Sequence, residues 1–296
     1  MALFTGSGVA IVTPYDNSLA QNINYDVFAD LIEFQIENGT DAIVVAGTTG
    51  EASTQTDEEQ VQLVKFCVDR VNGRVPVIAG AGSNDTAHGV QLTKDCAAAG
   101  ADAILSVTPY YLKTSQAGLL AHYGAIADAV RETPIILYDV PGRTGMSINP
   151  QTLAELRKID NIVALKDATG DLAKAVESRY YVGPDFDIYS GNDDTVVPLM
   201  SLGGQGVISV LANIAPKHVH EMTQYALNGE YAKATEIQTA FKPLIDILFS
   251  EPNPIPIKKA VSMLGFDAGS VRLPLVPAQE ETVAALEAEM KRLKLI

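Results

Sequence analysis

Eight short β-rich runs alternate with longer amphipathic segments along this chain, with no long linker between them. The runs are GVAIVTP (8–14), AIVVAG (42–47), VPVIAGAG (75–82), AILSVTP (103–109), PIILYDVP (134–141), IVALKDA (162–168), FDIYSG (186–191) and GVISV (206–210). Most are continuously apolar, as strands buried on both faces of a parallel sheet are. Between them, DEEQVQLVKFCVDRV (57–71) carries Val61, Val64, Val68 and Val71 at helical spacing. TAHGVQLTKDCAAAG (86–100) reads as a helix ending on a C-cap glycine. Eight strand–helix units in series predict an α/β protein, a (β/α)8 TIM barrel. The competitor is a doubly wound open sheet. It usually needs fewer strands, and no G-x-G-x-x-G fingerprint follows the first run.

The barrel is expected over 1–228. Further helical patterns at 230–249, 255–264 and 279–294 predict a C-terminal helical extension over 229–296. Its connector, SEPNPIPIKKAVSMLG (250–265), opens with three prolines, so it begins as a turn and then becomes a helix.

Charge narrows the partners. The formal net charge is -15, from 36 acidic against 21 basic residues. Such a surface repels phosphate backbones and anionic lipid, so neither nucleic acid nor a membrane is expected as a partner. The start MALFTGSGVAIVTPYD has no basic n-region, and no apolar stretch approaches a membrane span. The two cysteines, Cys67 and Cys96, lie in helical segments and suit a reducing compartment; a cytoplasmic enzyme is the expectation.

In a barrel the active site lies at the C-terminal ends of the strands. There the chain reads TPY, GTTGE, GAGSND, TPYY, YDVPGRTG, KDATG, SGND and ANIAP in turn. Lys166 ends an apolar strand. Such a lysine can snorkel to water or pair with an acid such as Asp167. It can also be a Schiff-base amine, because a desolvated ammonium loses its proton more easily and then attacks a ketone. Tyr138, near the end of the neighbouring strand, can pack at the rim or shuttle a proton. Arg143, five residues on, is either a solvated loop charge or a grip for a substrate carboxylate. Thr48 and Thr49 sit near a helix N-terminus and suit a small anion, or simply cap the helix. Tyr110 and Tyr111 are adjacent, so one can face the site and the other a partner subunit. The four histidines form no ligand pattern, and no HExxH or CxxC is present, so no metal is expected.

Taken in order, GTTGE, TPYY, YDVPGRTG and KDATGD, with GVISV and EPNPIPIK, resemble the dihydrodipicolinate synthase family of pyruvate-dependent class I aldolases, part of the N-acetylneuraminate lyase superfamily. The similarity runs along nearly the whole chain. The threonine pair, the tyrosine pair and the arginine of PGRTG point to this branch rather than to N-acetylneuraminate lyases or keto-deoxy-sugar-acid aldolases, which remain the alternative. The resemblance implies a lyase that condenses pyruvate with L-aspartate 4-semialdehyde to 4-hydroxy-tetrahydrodipicolinate, without a cofactor. It implies that Lys166 forms the imine and that Tyr138, Thr49 and Tyr111 relay protons, with Tyr111 arriving from a neighbouring subunit of a homotetramer. Thr48 and Thr49 would hold the pyruvate carboxylate, with Gly191 and the Ile208 backbone closing the pocket. Arg143 would bind the semialdehyde carboxylate.

In lysine-inhibited relatives a regulatory pocket lies at the dimer interface. The matching positions here are Ala52, Asp57, Gln60, Asn84, His88 and Tyr110. His88 stands where the resemblance places a glutamate, and it cannot supply that negative charge. Weak or absent lysine feedback is therefore expected.

Overall fold

The computed structural model describes residues 2–296. Eight parallel strands close into a barrel in sequence order: β1 (Gly6–Ala10), β2 (Ala42–Val45), β3 (Val77–Gly80), β4 (Ala103–Val107), β5 (Ile135–Asp139), β6 (Ile162–Asp167), β7 (Asp187–Ser190) and β8 (Gly206–Ser209). β8 pairs back onto β1, with Gly8 opposite Ile208. All eight expected runs hold a strand. The first overreaches: ladder pairing stops at Ala10, and Val12 N–H donates to Asn213 Oδ1 at 3.0 Å instead. Apolar character continues past the strand because Ile11 and Val12 are still buried there.

Successive strand residues point to opposite faces, and this sorts the core into two layers. Val44, Ile78, Leu105, Ile136, Ala164 and Ile208 fill the barrel interior, with Phe4 stacked on Tyr189 at 4.3 Å. Ile43, Val45, Ala79, Ile104, Leu137 and Leu165 point outward to the helices. The alternation carries Tyr138 and Lys166 inward, each two residues beyond an interior residue of its strand.

The helices are α1 (Tyr25–Glu37), α2 (Asp57–Val71), α3 (Thr86–Ala98), α4 (Gln116–Ala129), α5 (Pro141–Thr144), α6 (Pro150–Leu156), α7 (Leu172–Val182), α8 (Val196–Ser201), α9 (Pro216–Leu227), α10 (Tyr231–Leu248), α11 (Ile255–Met263) and α12 (Glu280–Arg292). α2 has the boundaries expected from its pattern. It opens on a capping box in which Thr56 and Glu59 satisfy each other's backbone N–H. Its buried face is Gln60, Leu63, Val64, Cys67 and Val71, so the stripe is turned one position from the valines alone.

The segment after residue 229 supplies α10, α11 and α12. It is tied to the loop after β2 by a buried ion pair, Lys258 Nζ to Glu51 Oε1 at 2.6 Å. The Lys258 amine also lies 3.9 Å from the Tyr15 ring centre. Among the described residues, no helix is long and apolar enough to cross a membrane.

Candidate active site

Lys166 and Tyr138 are directly opposite each other in the β5–β6 ladder. Both point into the barrel mouth, and the Lys166 amine sits 4.2 Å from the Tyr138 ring centre. Lys166 is 6% exposed. Burial brings its ammonium down from 10.5 to about 7; the negative charge of Asp193 opposes this and the positive charge of Arg143 adds to it. Asp167, the other partner considered from the sequence, instead bonds the Thr169 hydroxyl and N–H on the outward side. A large part of the Lys166 amine is thus unprotonated at neutral pH, in a pocket that holds no neighbouring acid in a salt bridge with it. Burial is also the main reason the Tyr138 phenol is raised, with Arg143 and a hydrogen bond from Thr48 pulling it back.

Gly191, at the end of β7, shows why the pocket has room. A Cβ there would lie 2.7 Å from Ala168 Cβ and 3.1 Å from Lys166 Cε. A side chain at this point would clash with Ala168 and crowd the lysine stem. Lys166, Gly191, Thr48, Thr49, Tyr138 and Arg143 all line one cavity of about 290 Å³. Ile208 belongs to the barrel interior and is not part of the cavity lining, where Val210 stands for that segment.

The two threonines separate in role. Thr48 lines the same cavity as Tyr138 and helps hold its phenol down. Thr49 is buried and its Oγ1 accepts from Asn253 Nδ2 at 3.0 Å. Of the two, Thr48 is the one whose hydroxyl acts on the phenol, whereas the Thr49 hydroxyl, expected in the relay, is engaged with Asn253. Which of two adjacent side chains faces the phenol depends on the loop backbone, where Ala46 and Glu51 both take positive φ, 53° and 61°. Arg143 lies on the single helical turn α5, set directly after β5 by Pro141 at its start. Its Nη2 donates to the main-chain carbonyl of Asn253 at 3.2 Å.

Tyr110 and Tyr111 diverge as adjacent residues should. Tyr110 lines a second cavity of about 380 Å³ that shares Thr48, Tyr138 and Arg143 with the first. Tyr111 is 83% exposed and its φ is +71°. Ala52, Asp57, Gln60 and His88 line the second cavity together with Tyr110, whereas Asn84 falls outside its wall. His88 Nε2 lies 2.9 Å from both Asp57 carboxylate oxygens, and His88 Nδ1 lies 2.9 Å from Ser83 Oγ.

Among the described residues, no group of three or more His, Cys, Asp or Glu is arranged to hold a metal ion. The sequence pattern of the dihydrodipicolinate synthetase family matches residues 3–293. The chain belongs to the dihydrodipicolinate synthetase family. A 4-hydroxy-tetrahydrodipicolinate synthase of Thermoanaerobacter sp. is 50% identical over 297 residues, covering 100% of this chain and 99% of the relative. The dihydrodipicolinate synthase of Acinetobacter baumannii, solved as a chloride-inhibited enzyme complexed with pyruvate, superposes with a TM-score of 0.96 at 43% identity over 99% of each chain. The Cyanidioschyzon merolae enzyme, solved with lysine bound, superposes with a TM-score of 0.96 at 38% identity over 100% of each chain.

Two further residues of this family member's site have roles that the strand ends do not mark. Asn253 comes from the C-terminal extension, and its one sequence signal is the proline-rich connector around it. Asp193, 2% exposed, follows β7 within SGND. Its carboxylate accepts from Ser209 Oγ at 2.5 Å and from the Val210 and Leu211 N–H groups at 3.0 and 2.9 Å. It thereby fastens the end of β8 beside the end of β7, and its charge acts on Lys166.

Proposed function

We infer that this chain condenses pyruvate with L-aspartate 4-semialdehyde to give 4-hydroxy-tetrahydrodipicolinate, the committed step toward lysine and diaminopimelate. The observation that carries the reading is the buried Lys166 amine, brought to about 7 against the Tyr138 ring. In its neutral form the amine attacks the ketone carbon of pyruvate. The carbinolamine then loses its hydroxyl as water, leaving an iminium. That cation draws electrons from the methyl carbon, which gives up a proton and becomes an enamine. The enamine carbon bonds to the aldehyde carbon, whose oxygen takes a proton. The amine of the second substrate then adds to the iminium carbon and expels Lys166, closing the ring.

The surrounding residues supply what those steps need. Tyr138 moves the protons, with Thr48 at its hydroxyl and Tyr111 of a second copy completing the relay. Thr49 and the loop N–H groups hold the pyruvate carboxylate. Gly191 admits the lysine stem, and the Ile208 backbone closes the base. Arg143 grips the carboxylate of the semialdehyde, aided by its planar fork of donors. An exposed aromatic at positive φ costs about 1–2 kcal/mol in backbone alone. A covering subunit gives Tyr111 a reason for that conformation, which supports a homo-oligomer, at least a dimer and by resemblance a tetramer. The two buried free thiols suit the cytoplasm.

Borohydride reduction with pyruvate, followed by peptide mass mapping, tests the reading. The adduct is expected on Lys166 and on no other lysine. Turnover with pyruvate and L-aspartate 4-semialdehyde should exceed any cleavage of sialic or keto-deoxy-sugar acids; the reverse order would overturn the substrate assignment.

A further inference from the structure

We infer that Asn253, from the C-terminal extension, is a positioning residue that aims the Thr49 hydroxyl and so sets the grip on the pyruvate carboxylate. The inference rests on the reading of the site proposed above. Asn253 is 6% exposed and lines the cavity that holds Lys166. Its Nδ2 donates to Thr49 Oγ1 at 3.0 Å, a buried bond that closes across 204 residues of sequence. A hydroxyl has one proton to donate. With the Thr49 oxygen already accepting from Asn253, that proton is left for a group in the cavity. A carboxylate oxygen is the acceptor that the bound substrate would bring.

The loop itself does not depend on this bond. Two residues beyond Thr49, the Glu51 carboxylate is held by Lys258 Nζ at 2.6 Å and by the Arg272 N–H at 2.9 Å. Removing the Asn253 side chain should therefore free the hydroxyl without releasing the loop. The link from Asn253 to Arg143 runs through the main-chain carbonyl. It survives any side-chain substitution, so the two substrates should respond differently. A purely structural residue at this point would affect both.

The test compares wild type, Asn253→Ala and Asn253→Asp. Pyruvate half-saturation is read by borohydride trapping on Lys166 without the second substrate, and KM is measured for both substrates. Asn253→Ala is expected to raise pyruvate half-saturation roughly tenfold, the scale for a hydrogen bond to a charged group. The semialdehyde KM should stay within about twofold. Asn253→Asp keeps the shape but loses the donor, and its carboxylate would take the Thr49 proton. Its deficit relative to wild type should be as large near pH 8 and shrink as pH falls and the carboxyl regains a proton. Combined with Thr49→Val, Asn253→Ala should add little further loss, because both remove one interaction. Should Asn253→Ala fail to fold by circular dichroism, the near-isosteric Asn253→Asp decides alone. An unchanged pyruvate constant, an equal rise for both substrates, or additive losses with Thr49→Val would overturn the inference. A wild-type enzyme that traps no pyruvate on Lys166 would instead overturn the proposed function.

Discussion

Replacing Lys166 with methionine should destroy imine formation and make the folded protein more stable at neutral pH. In the unfolded chain the amine titrates at its ordinary 10.5, and in the folded one at about 7. Between those values the unfolded chain holds a proton that the folded chain has lost. Wild-type stability therefore rises with pH across that window. Put as a penalty, the buried amine destabilises the fold fully below about pH 7, and the effect has faded by pH 10.5. The difference of 3.5, from 10.5 to 7, corresponds to about 5 kcal/mol in full and about 4 kcal/mol at pH 7. Lys166 is 6% exposed, so solvent screens little of this. Methionine fills a similar volume and binds no proton, so Lys166→Met removes the penalty while keeping most of the packing. Thermal unfolding of both proteins at equal concentration, at pH 6.5, 8 and 9.5, measures it. At pH 6.5 the variant's Tm should lie on the order of 10 °C higher, and by pH 9.5 most of that gain should be gone. A variant less stable than wild type at pH 6.5, or a gain that does not change with pH, would refute the burial argument.

Arg143→Ala should raise the semialdehyde KM on the order of a hundredfold while pyruvate trapping on Lys166 persists, since a charge-assisted pair is lost only for the second substrate; loss of pyruvate trapping alone would contradict the assignment. Tyr111→Phe should lower kcat by tenfold or more by removing a relay proton, and sedimentation should show a dimer or larger at assay dilution. A fully active monomer would end the shared-site reading. L-lysine should inhibit only above about 1 mM, a binding energy of about 4 kcal/mol, because the Asp57 carboxylate that could meet its ammonium is already engaged by His88 at 2.9 Å. Half-inhibition of initial rate at lower lysine would show that the pocket works despite that pair.

Much of this protein is written locally. A buried parallel strand must be apolar along its length, and a surface helix must repeat every three to four residues. The eight strands and α2 are therefore visible in windows of a dozen residues, and so is the order that closes a barrel. The strand ends follow, and with them Lys166, Tyr138, Arg143 and the threonine pair. What a window cannot hold is a contact between distant segments or a field summed over all of them. Asn253 meets Thr49 across 204 residues and Lys258 meets Glu51 across 207. Nothing near either member marks its partner. Whether Thr48 or Thr49 acts on the phenol depends on the backbone of their loop, in which Ala46 and Glu51 take positive φ. The lysine could be named from its strand alone. Its reactivity could not, because the shift to about 7 comes from burial by several strands, opposed by the charge of Asp193 and reinforced by that of Arg143, from two other segments.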